Sequence, residues 1–570
     1  MRKSESTRRR YEPDFLTSSP SHFLAWSMKT HTNPTYEYRR APELDGSTRH
    51  CQVVIVGAGP VGLVAAIDLA QRGIPVLVLD DDDTVSEGSR AICYSKRTLE
   101  ILDRLGCGEP IARKGVSWNV GKVYQGSELA YQFDVLPESG HHRPAFVNLQ
   151  QYYFEECLVQ RALELPTLSI RWRHEVSGVV PDADCVTLRV ATRDGDYALT
   201  CDWLLVCDGA RSPVRHMLGL DFEGRAFRDR FLIADIHMTS DFPAERRFWF
   251  DPPFHPNQSV LLHRQPDDVW RVDFQLGWDA DPELEKQPER ILPRLRAMLG
   301  PDAKFEIEWA SVYTFQCRRM QKFRHGRLLF AGDSAHLVSP FGARGANSGV
   351  QDADNLVWKL DLVLRGRAPE GLLDTYDSER VAAADENIAS STRATDFITP
   401  KSAVSRTFRD AVLSLARRHP FARKLVNSGR LSVPKVLSQS PLNTPDSAPF
   451  DGAMVPGAAA ADAPVRGPRG DWLLEHLGGG FDLLVFGDVV DSARARELAR
   501  RPIACRVVQV GGAQRDDRMV VDDHAGLVAA RYDGKPGTCY LFRPDQHVCA
   551  RWRAFTVTAV HAAIARATGQ

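Results

Sequence analysis

The alternation of apolar and polar positions begins with a pattern typical of a parallel sheet. Residues 52–56 form a nearly continuous apolar run, followed by a glycine-rich turn and a helical pattern over 63–70. A second apolar run over 74–79 follows Gly73. Uninterrupted apolar strands belong to sheets that are covered on both faces, so this segment predicts a βαβ unit of about 30 residues.

The middle of the chain changes to period-two alternation. Strand candidates over 231–237, 259–264 and 270–276 predict an antiparallel sheet in a second domain spanning 218–312. A strand-like aromatic stretch near 120–146 is a candidate insertion into that domain. Helical patterns after residue 345 then return the chain to the first domain, which is therefore expected to be split into 49–217 and 313–400.

The two ends of the chain differ from this body. The first 48 residues are polar and lack periodicity, which predicts a disordered leader. A helical region and linker is predicted over 401–445. Helix and strand patterns alternate again over 446–570, which predicts a separate small α/β domain.

Composition narrows the function classes. The chain has 570 residues, more than one compact core accommodates, and a net charge of −1, which argues against nucleic acid as a partner. No apolar run approaches the roughly 20 residues of a membrane span, so no integral membrane association is expected. Eleven cysteines without a CxxC pair predict reduced thiols in the cytoplasm and no metal site.

The turn after the first apolar run has the glycine spacing of a dinucleotide-binding site. Gly57 permits a tight turn, Gly59 lets a diphosphate approach the backbone, and Gly62 lets helix and strand pack closely. The helix N-terminus offers free N–H groups to phosphates, and a carboxylate after the second run can accept hydrogen bonds from ribose hydroxyls. The candidate residues of this first motif are Gly57, Gly59, Pro60, Val61, Gly62 and Asp80.

Two further motifs follow predicted strands. The second begins at Asp208 and Gly209; taken alone, it is equally compatible with a solvated loop in which Asp208 caps a helix. In the third, Asp333 stands at a strand-to-helix junction, where it can reach a ribityl hydroxyl. The turn that begins at Gly342 can then place backbone N–H groups beside a flavin ring, and Asn347 is expected to head the next helix.

The three motifs in this order resemble those of the class A (single-component) flavoprotein aromatic hydroxylases, the family of para-hydroxybenzoate, phenol and 3-(3-hydroxyphenyl)propionate hydroxylases. The resemblance covers about residues 50–400. The segment 478–487 is similar to the thioredoxin-like tail of the phenol hydroxylase branch, here without CxxC, which implies a structural or dimer-supporting role. The implied architecture is a Rossmann-like FAD-binding domain split in sequence, an α+β substrate domain and a thioredoxin-like C-terminal domain in a homodimer.

The resemblance also implies a reaction. FAD is the expected cofactor and NADH or NADPH the co-substrate. A phenolic or otherwise electron-rich aromatic compound would be hydroxylated with O₂ through an FAD C4a-hydroperoxide, in aromatic catabolism. Because only one dinucleotide motif is present, no separate domain for NADH or NADPH is expected.

The same resemblance implies roles for single residues. Arg90 would contact the pyrophosphate, Gln151 and Asp333 the ribityl chain, and Asp208 with Gly209 both FAD and the pyridine nucleotide. The residues expected to line the isoalloxazine are Pro340, Gly342, Arg344, Gly345, Ala346 and Asn347. The sequence departs from the family pattern at Ser339, where many members have a second proline, and at Phe341, where smaller residues are common.

Residues that contact the substrate are harder to predict. The segment 247–251 and the strands around His263 and Arg271 are candidates for the pocket, and no catalytic base is assigned. The candidate catalytic residues are His263, Arg271, Gln275 and Tyr94, although single polar residues on such a sheet are more often structural. Three alternatives remain: a reductase that inserts no oxygen, a non-enzymatic FAD scaffold, and a halogenase, which would require a W-x-W motif that this chain lacks.

Overall fold

The computed structural model describes residues 30–47, 49–88, 90–426 and 431–570. The expected disordered leader lies outside the described residues over 1–29 and at 48. Over residues 30–47 this prediction is wrong, because aromatic side chains hold the segment against the first domain. Tyr36 stacks on Trp172 with ring centroids 4.5 Å apart, and the Tyr38 hydroxyl donates to the carboxylate of Asp194 at 2.8 Å.

The strands, in chain order, are β1 (Arg49–Val56), β2 (Val76–Asp80), β3 (Cys93–Ser95), β4 (Val116–Trp118), β5 (Val120–Gln125), β6 (Glu128–Asp134), β7 (Phe146–Asn148), β8 (Leu168–Trp172), β9 (Glu175–Pro181), β10 (Val186–Thr192), β11 (Gly195–Val206), β12 (Phe222–His237), β13 (Arg246–Phe250), β14 (Ser259–Arg264), β15 (Val269–Leu276), β16 (Glu306–Met320), β17 (Arg324–His325), β18 (Leu328–Phe330), β19 (His336–Leu337), β20 (Pro464–Gly467), β21 (Gly470–Trp472), β22 (Phe481–Phe486), β23 (Cys505–Val510), β24 (Met519–Val521), β25 (Cys539–Phe542) and β26 (Val548–Trp552).

The α-helices are α1 (Pro60–Gln71), α2 (Lys96–Leu105), α3 (Gly108–Lys114), α4 (Gln151–Leu163), α5 (Pro213–Met217), α6 (Pro282–Glu285), α7 (Pro288–Leu299), α8 (Gly345–Leu364), α9 (Asp374–Ile398), α10 (Ala403–Ala416), α11 (Pro420–Val426), α12 (Ser492–Ala499), α13 (Leu527–Arg531) and α14 (Val557–Ala567). Short 3₁₀ turns occur at Pro42–Asp45, Gly332–Ser334, Glu370–Leu373 and Leu473–His476.

The first sheet carries the expected βαβ unit. Its main path is β17-β18-β11-β1-β2-β8, and β18, β11, β1, β2 and β8 run parallel. The side chains from Val53 to Ile55 are fully buried, which explains why the sequence shows a continuous apolar run there rather than alternation. Helix α8, more than 280 residues after β1, packs on α1, so this domain is assembled from distant parts of the chain.

The second sheet has eight strands in the order β19-β16-β12-β15-β14-β13-β5-β6. The expectation of an antiparallel sheet holds except for one pair, because β13 and β5 are parallel. The hairpin β5–β6 comes from the candidate insertion near 120–146 and forms the edge of the sheet. Its first strand, β5, runs parallel to its neighbour β13. The second sheet therefore draws its strands from both sides of the second motif.

The C-terminal region forms its own sheet, in the order β24-β23-β22-β25-β26. Strands β22, β23 and β24 are parallel, and β25 and β26 are antiparallel to their neighbours. The Trp358 ring of α8 meets Phe481 of β22 edge-to-face at 6.1 Å, which joins this region to the first domain. Within the described residues, no helix is both long and apolar enough to cross a membrane.

Candidate functional site

The three sequence motifs meet at one edge of the first sheet. Each follows the carboxyl end of a parallel strand: the first follows β1, the second β11 and the third β18, and these strands are neighbours. Ligands of open α/β sheets bind at this edge, where the loops diverge. The fold therefore brings together residues that are up to about 290 positions apart in sequence.

The glycines of the first motif face different surroundings. Gly57 has a φ of 101°, and a Cβ there would lie 2.5 Å from the carbonyl oxygen of Cys207. A Cβ at Gly62 would overlap the carbonyl oxygen of Gly57. At Gly59, by contrast, no atom lies within 4 Å of a Cβ, although this residue caps the N-terminus of α1. Close packing of the backbone requires glycine at residues 57 and 62, whereas the space beside Gly59 at the N-terminus of α1 is open.

Asp80 closes the first motif at the end of β2. Its carboxylate accepts hydrogen bonds from the backbone N–H groups of Ala58 at 2.5 Å and Asp82 at 2.9 Å. Burial raises the pKa of Asp80 to about 7, although those two hydrogen bonds oppose the shift. A ligand that donates further hydrogen bonds to this carboxylate would stabilise its charged form.

The second motif is tied to the third. Asp208 accepts a hydrogen bond from the N–H of Val214 at 3.1 Å through one oxygen, while its other oxygen is buried without a protein partner. Burial raises the pKa of Asp208. Arg215 donates to the carbonyl oxygen of Ser334 at 3.0 Å, and Gly209 adopts a φ of 79° in the turn between them.

Asp333 lies in a recess of the third motif. Its side chain is exposed, yet Ser334 to His336 after it are buried, and burial raises the pKa of Asp333. The positive charges of His336 and Arg90 oppose this shift. Arg90 thus lies within electrostatic reach of Asp333, which places the side chains expected to hold pyrophosphate and ribityl groups beside one site.

Asp352 of α8 supports this motif from behind and was not anticipated from the sequence. Its carboxylate accepts from the N–H of Gly332 at 3.0 Å, from His336 Nε2 at 2.6 Å and from Arg380 at 2.6 Å. These cations keep the pKa of Asp352 below its usual value despite complete burial. The position of Asp352 in the sequence, within a helix that follows the third motif, does not by itself predict that its carboxylate bonds to that motif.

The turn after Pro340 has a strained geometry. Ala343 has a φ of 51°, and its N–H donates to the Pro340 carbonyl at 3.0 Å. The helix α8 then begins at Gly345 and Ala346, so the expectation that Asn347 heads it is off by two residues.

The expected position of Asn347 beside the flavin stays a prediction, and the side chain of this residue is occupied within the protein. The side chain is buried and its hydrogen bonds are made within the protein: it accepts from Ser95 N at 2.8 Å and Thr98 Oγ1 at 2.7 Å, and it donates to the carbonyls of Cys93 at 2.8 Å and Ala343 at 2.6 Å. Asn347 clamps β3 to the third motif.

The two departures from the family pattern have structural explanations. The Ser339 hydroxyl accepts a hydrogen bond from Thr395 Oγ1 at 2.9 Å, which fastens the turn to α9. Phe341 is buried against the second sheet, where it meets Phe231 and Phe315 edge-to-face at 5.1 and 5.4 Å. The larger side chain at 341 therefore joins the turn to the sheet.

A second link between the domains runs through Arg271. Its guanidinium pairs with Asp235 at 2.8 Å and donates to the backbone carbonyl of Arg90 at 3.0 Å. Gln151, at the start of α4, accepts from the N–H of Ala91 at 2.9 Å, which fixes the same loop from the other side. These contacts position the Arg90 loop.

A cavity of about 260 Å³ lies between the turn of the third motif and the second sheet. Its aromatic wall consists of Tyr131, Phe133, Phe248, Phe250 and Phe341, and α9 and α11 close the far side. Gly342 and Arg344 of the expected flavin turn line the same cavity. The structure thus places an aromatic-lined space next to the residues expected to lie beside a flavin ring.

The predicted catalytic candidates fare unequally. Tyr94 is fully buried in the first domain and stacks on Phe154 at 4.1 Å, so its surroundings lend no support to a catalytic role. The amide oxygen of Gln275 likewise accepts from the N–H and hydroxyl of Ser259 at 3.0 and 2.8 Å, which is a structural use of this side chain. His263 is buried, and burial together with Arg246 and Arg271 holds its pKa well below the usual value, so it is neutral at pH 7.

Sequence reasoning missed Arg246, which lines the cavity. The predicted pocket segment began one residue later, at Arg247, but Arg247 does not line the cavity and bonds Glu245 at 2.8 Å. Period-two alternation was the available signal, because Phe248 and Phe250 face the cavity and residue 246 must share their face.

The residues at the sheet edge fit a dinucleotide such as FAD. Gly59 leaves space at a helix N-terminus for a diphosphate, and Asp80 accepts hydrogen bonds only from backbone groups. One oxygen of Asp208 is buried without a protein donor, and the carboxylate of Asp333 is exposed, so both can accept further hydrogen bonds. This set of acceptors matches the hydroxyl donors of a ribose and a ribityl chain.

Comparison with known proteins agrees with this geometry. Residues 50–391 match the model of the family described as "FAD binding domain". The 6-methylpretetramide 4-monooxygenase of Streptomyces rimosus is 32% identical over 536 residues, which cover 90% of this chain and 91% of that protein. The 3-(3-hydroxy-phenyl)propionate/3-hydroxycinnamic acid hydroxylase of Mycolicibacterium smegmatis is 27% identical, covering 87% of this chain and 89% of that protein.

A solved structure shows the same fold. The flavin-dependent monooxygenase PieE, determined in complex with FAD and substrate, superposes with a TM-score of 0.78. The alignment covers 91% of this chain and 99% of that one at 22% identity. The C-terminal region is therefore included in the shared architecture.

Proposed function

We propose that this chain, which belongs to the FAD binding domain family and is an FAD-dependent aromatic monooxygenase, acts on a phenolic ring system larger than a single benzene ring. One observation carries the choice of substrate: the aromatic cavity of about 260 Å³ shares Gly342 and Arg344 with the turn expected to face the flavin. A cavity of about 150 Å³ already accommodates benzene, so this one has room for fused rings. The S. rimosus relative is named for 6-methylpretetramide.

Bound FAD would supply the electrons taken from NADH or NADPH and the activation of O₂. We assign its ADP half to the first motif, with the diphosphate at Gly59 and the α1 N-terminus and the ribose at Asp80. The ribityl chain would lie at Asp333, with Gln151 and Arg90 nearby. The backbone of the segment 342–346 would face the isoalloxazine ring.

The second sheet then supplies the substrate site. The rings of Phe248, Phe250 and Tyr131 would stack on the substrate and exclude water from it. Arg271 would hold the Arg90 loop, and with it the cofactor, at a fixed distance from this wall, because it bonds to both domains. None of the described residues that line the cavity is a carboxylate.

The decisive test is anaerobic stopped-flow reduction of the holoenzyme by NADH and by NADPH, across phenol, hydroxybenzoates, naphthols and hydroxylated anthraquinones. A substrate should accelerate flavin reduction and then, with O₂, yield a hydroxylated product in proportion to the O₂ consumed. Acceleration by single-ring phenols alone would contradict the proposed ring size. If every compound leaves reduction unchanged and O₂ goes only to peroxide, the chain does not hydroxylate aromatic rings.

The C-terminal region we propose to be thioredoxin-like and structural. Its five-stranded mixed sheet, in the order β24-β23-β22-β25-β26, supports that assignment, and its three cysteines are buried without a CxxC pair. We retain the domain bounds 49–217 with 313–400, 218–312 and 446–570, and a cytoplasmic location, as proposals.

We also propose a homodimer that uses α10. Val404, Phe408 and Leu415 lie on one face of this helix and are 79%, 58% and 45% exposed. Burying such a stripe against a second copy would remove apolar surface from water. Sedimentation equilibrium should give a dimer for the wild type and a monomer for Phe408→Ser; a wild-type monomer would contradict the proposal.

A further inference from the structure

The wall of the cavity carries an excess of positive charge. Lys122, Arg246, Arg344, Arg393 and Lys424 line it, and none of the described lining residues is acidic. A neutral aromatic substrate needs no such surroundings, and a group of cations around an apolar space favours a ligand that is itself anionic.

Most of the cations are already engaged or lie outside. Lys122 is paired with Glu245 at 2.8 Å, and Arg344 donates to Asn387 at 3.4 Å. Arg393 bonds to the carbonyl of its own helical turn at Ala389, and Lys424 is exposed on α11. Of these four, only Arg344 is buried, and it already has partners within the protein, among them Asn387.

Arg246 differs from these residues. It lies on the cavity face of β13 with Phe248 and Phe250, and burial lowers the pKa of its guanidinium. Within the described part of the chain it forms neither an ion pair nor a hydrogen bond, whereas Arg247 on the opposite face bonds Glu245. The nearest charges that favour its cationic form are the groups of Cys93 and Asp273.

Within the described residues, neither of those two neighbours forms an ion pair with the Arg246 guanidinium. Burial raises the pKa of Cys93 to about 11, so it is a neutral thiol at pH 7. Burial raises the pKa of Asp273 to about 6, so this carboxyl is mostly charged at pH 7, yet it makes no direct contact with the guanidinium and one of its oxygens is buried without a hydrogen-bond partner in the described part of the chain. Arg271, which also faces this group, is committed to Asp235, and His263 is neutral. A half-buried guanidinium that is desolvated and has no ion-pair partner among the described residues gains most from an anion supplied by a ligand.

Arg246 lies in the same cavity as the turn that is expected to face the flavin ring. Gly342, the first residue of that turn, lines this cavity together with Arg246. Cys93, which lies within electrostatic reach of Arg246, accepts a hydrogen bond at its carbonyl from Asn347 of the third motif at 2.8 Å.

We propose that Arg246 is the specificity-determining residue of this cavity and binds an oxyanion of the aromatic substrate, a phenolate, an enolate or a ring carboxylate. The inference rests on the proposed function for the identity of the cavity as the substrate site. A guanidinium offers two parallel N–H donors to such a group. The chain would then select acidic ring systems over neutral ones of the same size.

The test compares two ring systems of matched size in the FAD-loaded enzyme at pH 7. The probes are 3-hydroxy-2-naphthoate, an anion, and 2-naphthol, which is neutral, and binding is followed by isothermal titration calorimetry. The wild type should bind the anion more tightly. Arg246→Gln should weaken binding of the anion by about 10- to 100-fold and change that of 2-naphthol by less than about threefold.

Three controls make the result specific. Arg246→Lys should recover part of the affinity for the anion, since it restores the charge but not the paired donors. Arg247→Gln, next in sequence but on the other face, should bind both probes like the wild type. Unchanged FAD content and thermal unfolding of Arg246→Gln exclude a folding defect.

The outcomes separate this inference from the proposed function. Equal loss of both probes in Arg246→Gln, or a wild type without preference for the anion, overturns the role of Arg246; the wild-type comparison holds even if that variant fails to fold. If the anion preference depends on Arg246 but neither probe accelerates flavin reduction by NADH or NADPH, the anion site stands and the hydroxylase proposal loses support.

Discussion

Single carboxylates at the sheet edge are held in unfavourable surroundings. Asp80, Asp208 and Asp333 all have a raised pKa because their surroundings desolvate them, and none of the three has a cation in direct contact among the described residues. Desolvation of a charged carboxylate costs free energy, and hydrogen bonds donated by a ligand would offset that cost.

Asp333→Ala should weaken FAD binding by about 10- to 100-fold, because a hydrogen bond to a charged group contributes about 1.5–3 kcal/mol. The ratio of FAD to protein after gel filtration measures the loss. Asp302→Ala, in an exposed loop of the second domain, serves as the matched control and should retain FAD. Equal FAD content in Asp333→Ala and the control would refute the proposed contact.

The affinity for FAD should depend on pH through Asp80. In the free protein this carboxyl has a pKa of about 7, and only its charged form can accept from both ribose hydroxyls. Affinity should therefore be constant above about pH 8 and fall as pH drops below 7, by up to about tenfold per unit. Fluorescence titration of the apoprotein with FAD between pH 5.5 and 8.5 measures this slope, and Asp80→Asn should flatten it.

At the scale of secondary-structure elements, the junction between β1 and α1 combines two different uses of glycine. Gly62 is needed because the helix backbone crosses close to the strand end, and Gly59 is needed only if a ligand occupies the space above it. At the junction between β1 and α1, Gly62 therefore serves folding and Gly59 serves ligand binding, although the two residues are only three positions apart.

Gly59→Ala and Gly62→Ala should fail in opposite ways. A methyl group at residue 59 enters open space, so the protein should fold normally but bind FAD about 10- to 100-fold more weakly. A methyl group at residue 62 meets the Gly57 carbonyl and should destabilise the fold by about 1–3 kcal/mol or more. Circular dichroism melting and FAD titration of both variants distinguish these effects; a destabilised Gly59→Ala would contradict the assignment.

At the scale of the whole molecule, a buried network of charges joins the C-terminal sheet to the first domain. Arg543 lies in the turn between β25 and β26. Its guanidinium donates to Glu379 of α9 at 2.6 Å and also pairs with Asp545. Lys359 of α8 bonds the same glutamate at 2.8 Å. These groups are all buried, so each depends on the others for compensation of its charge.

Arg543→Met should lower the free energy of unfolding by about 3–5 kcal/mol, because Glu379 and Asp545 lose their main counter-charge. Arg466→Met removes an exposed arginine that lies 3.9 Å from Asp522 and should cost less than about 1 kcal/mol. Urea unfolding followed by circular dichroism measures both. Similar midpoints for the two variants would show that the network does not hold the domains together.

Much of the first domain was predictable because its signals are local. The apolar run over 52–56, the glycine spacing after it and the acidic residue at Asp80 each reflect contacts within one βαβ unit. The parallel pairing of β5 with β13, the clamp made by Asn347 and the support from Asp352 were missed. Each of these depends on which distant segments meet, and no local period records such a meeting.

The sequence by itself determined the cofactor and the reaction class, since three short motifs specify backbone shapes that bind one kind of ligand and recur in this family. Only the tertiary structure decided where the substrate is expected to bind. The cavity is formed by β5, β6, β13, α9, α11 and the turn after Pro340, which are spread over about 300 residues. The partial burial of Arg246 and its lack of an ion-pair partner among the described residues also depend on the tertiary structure, because both are set by the residues that the fold brings around it.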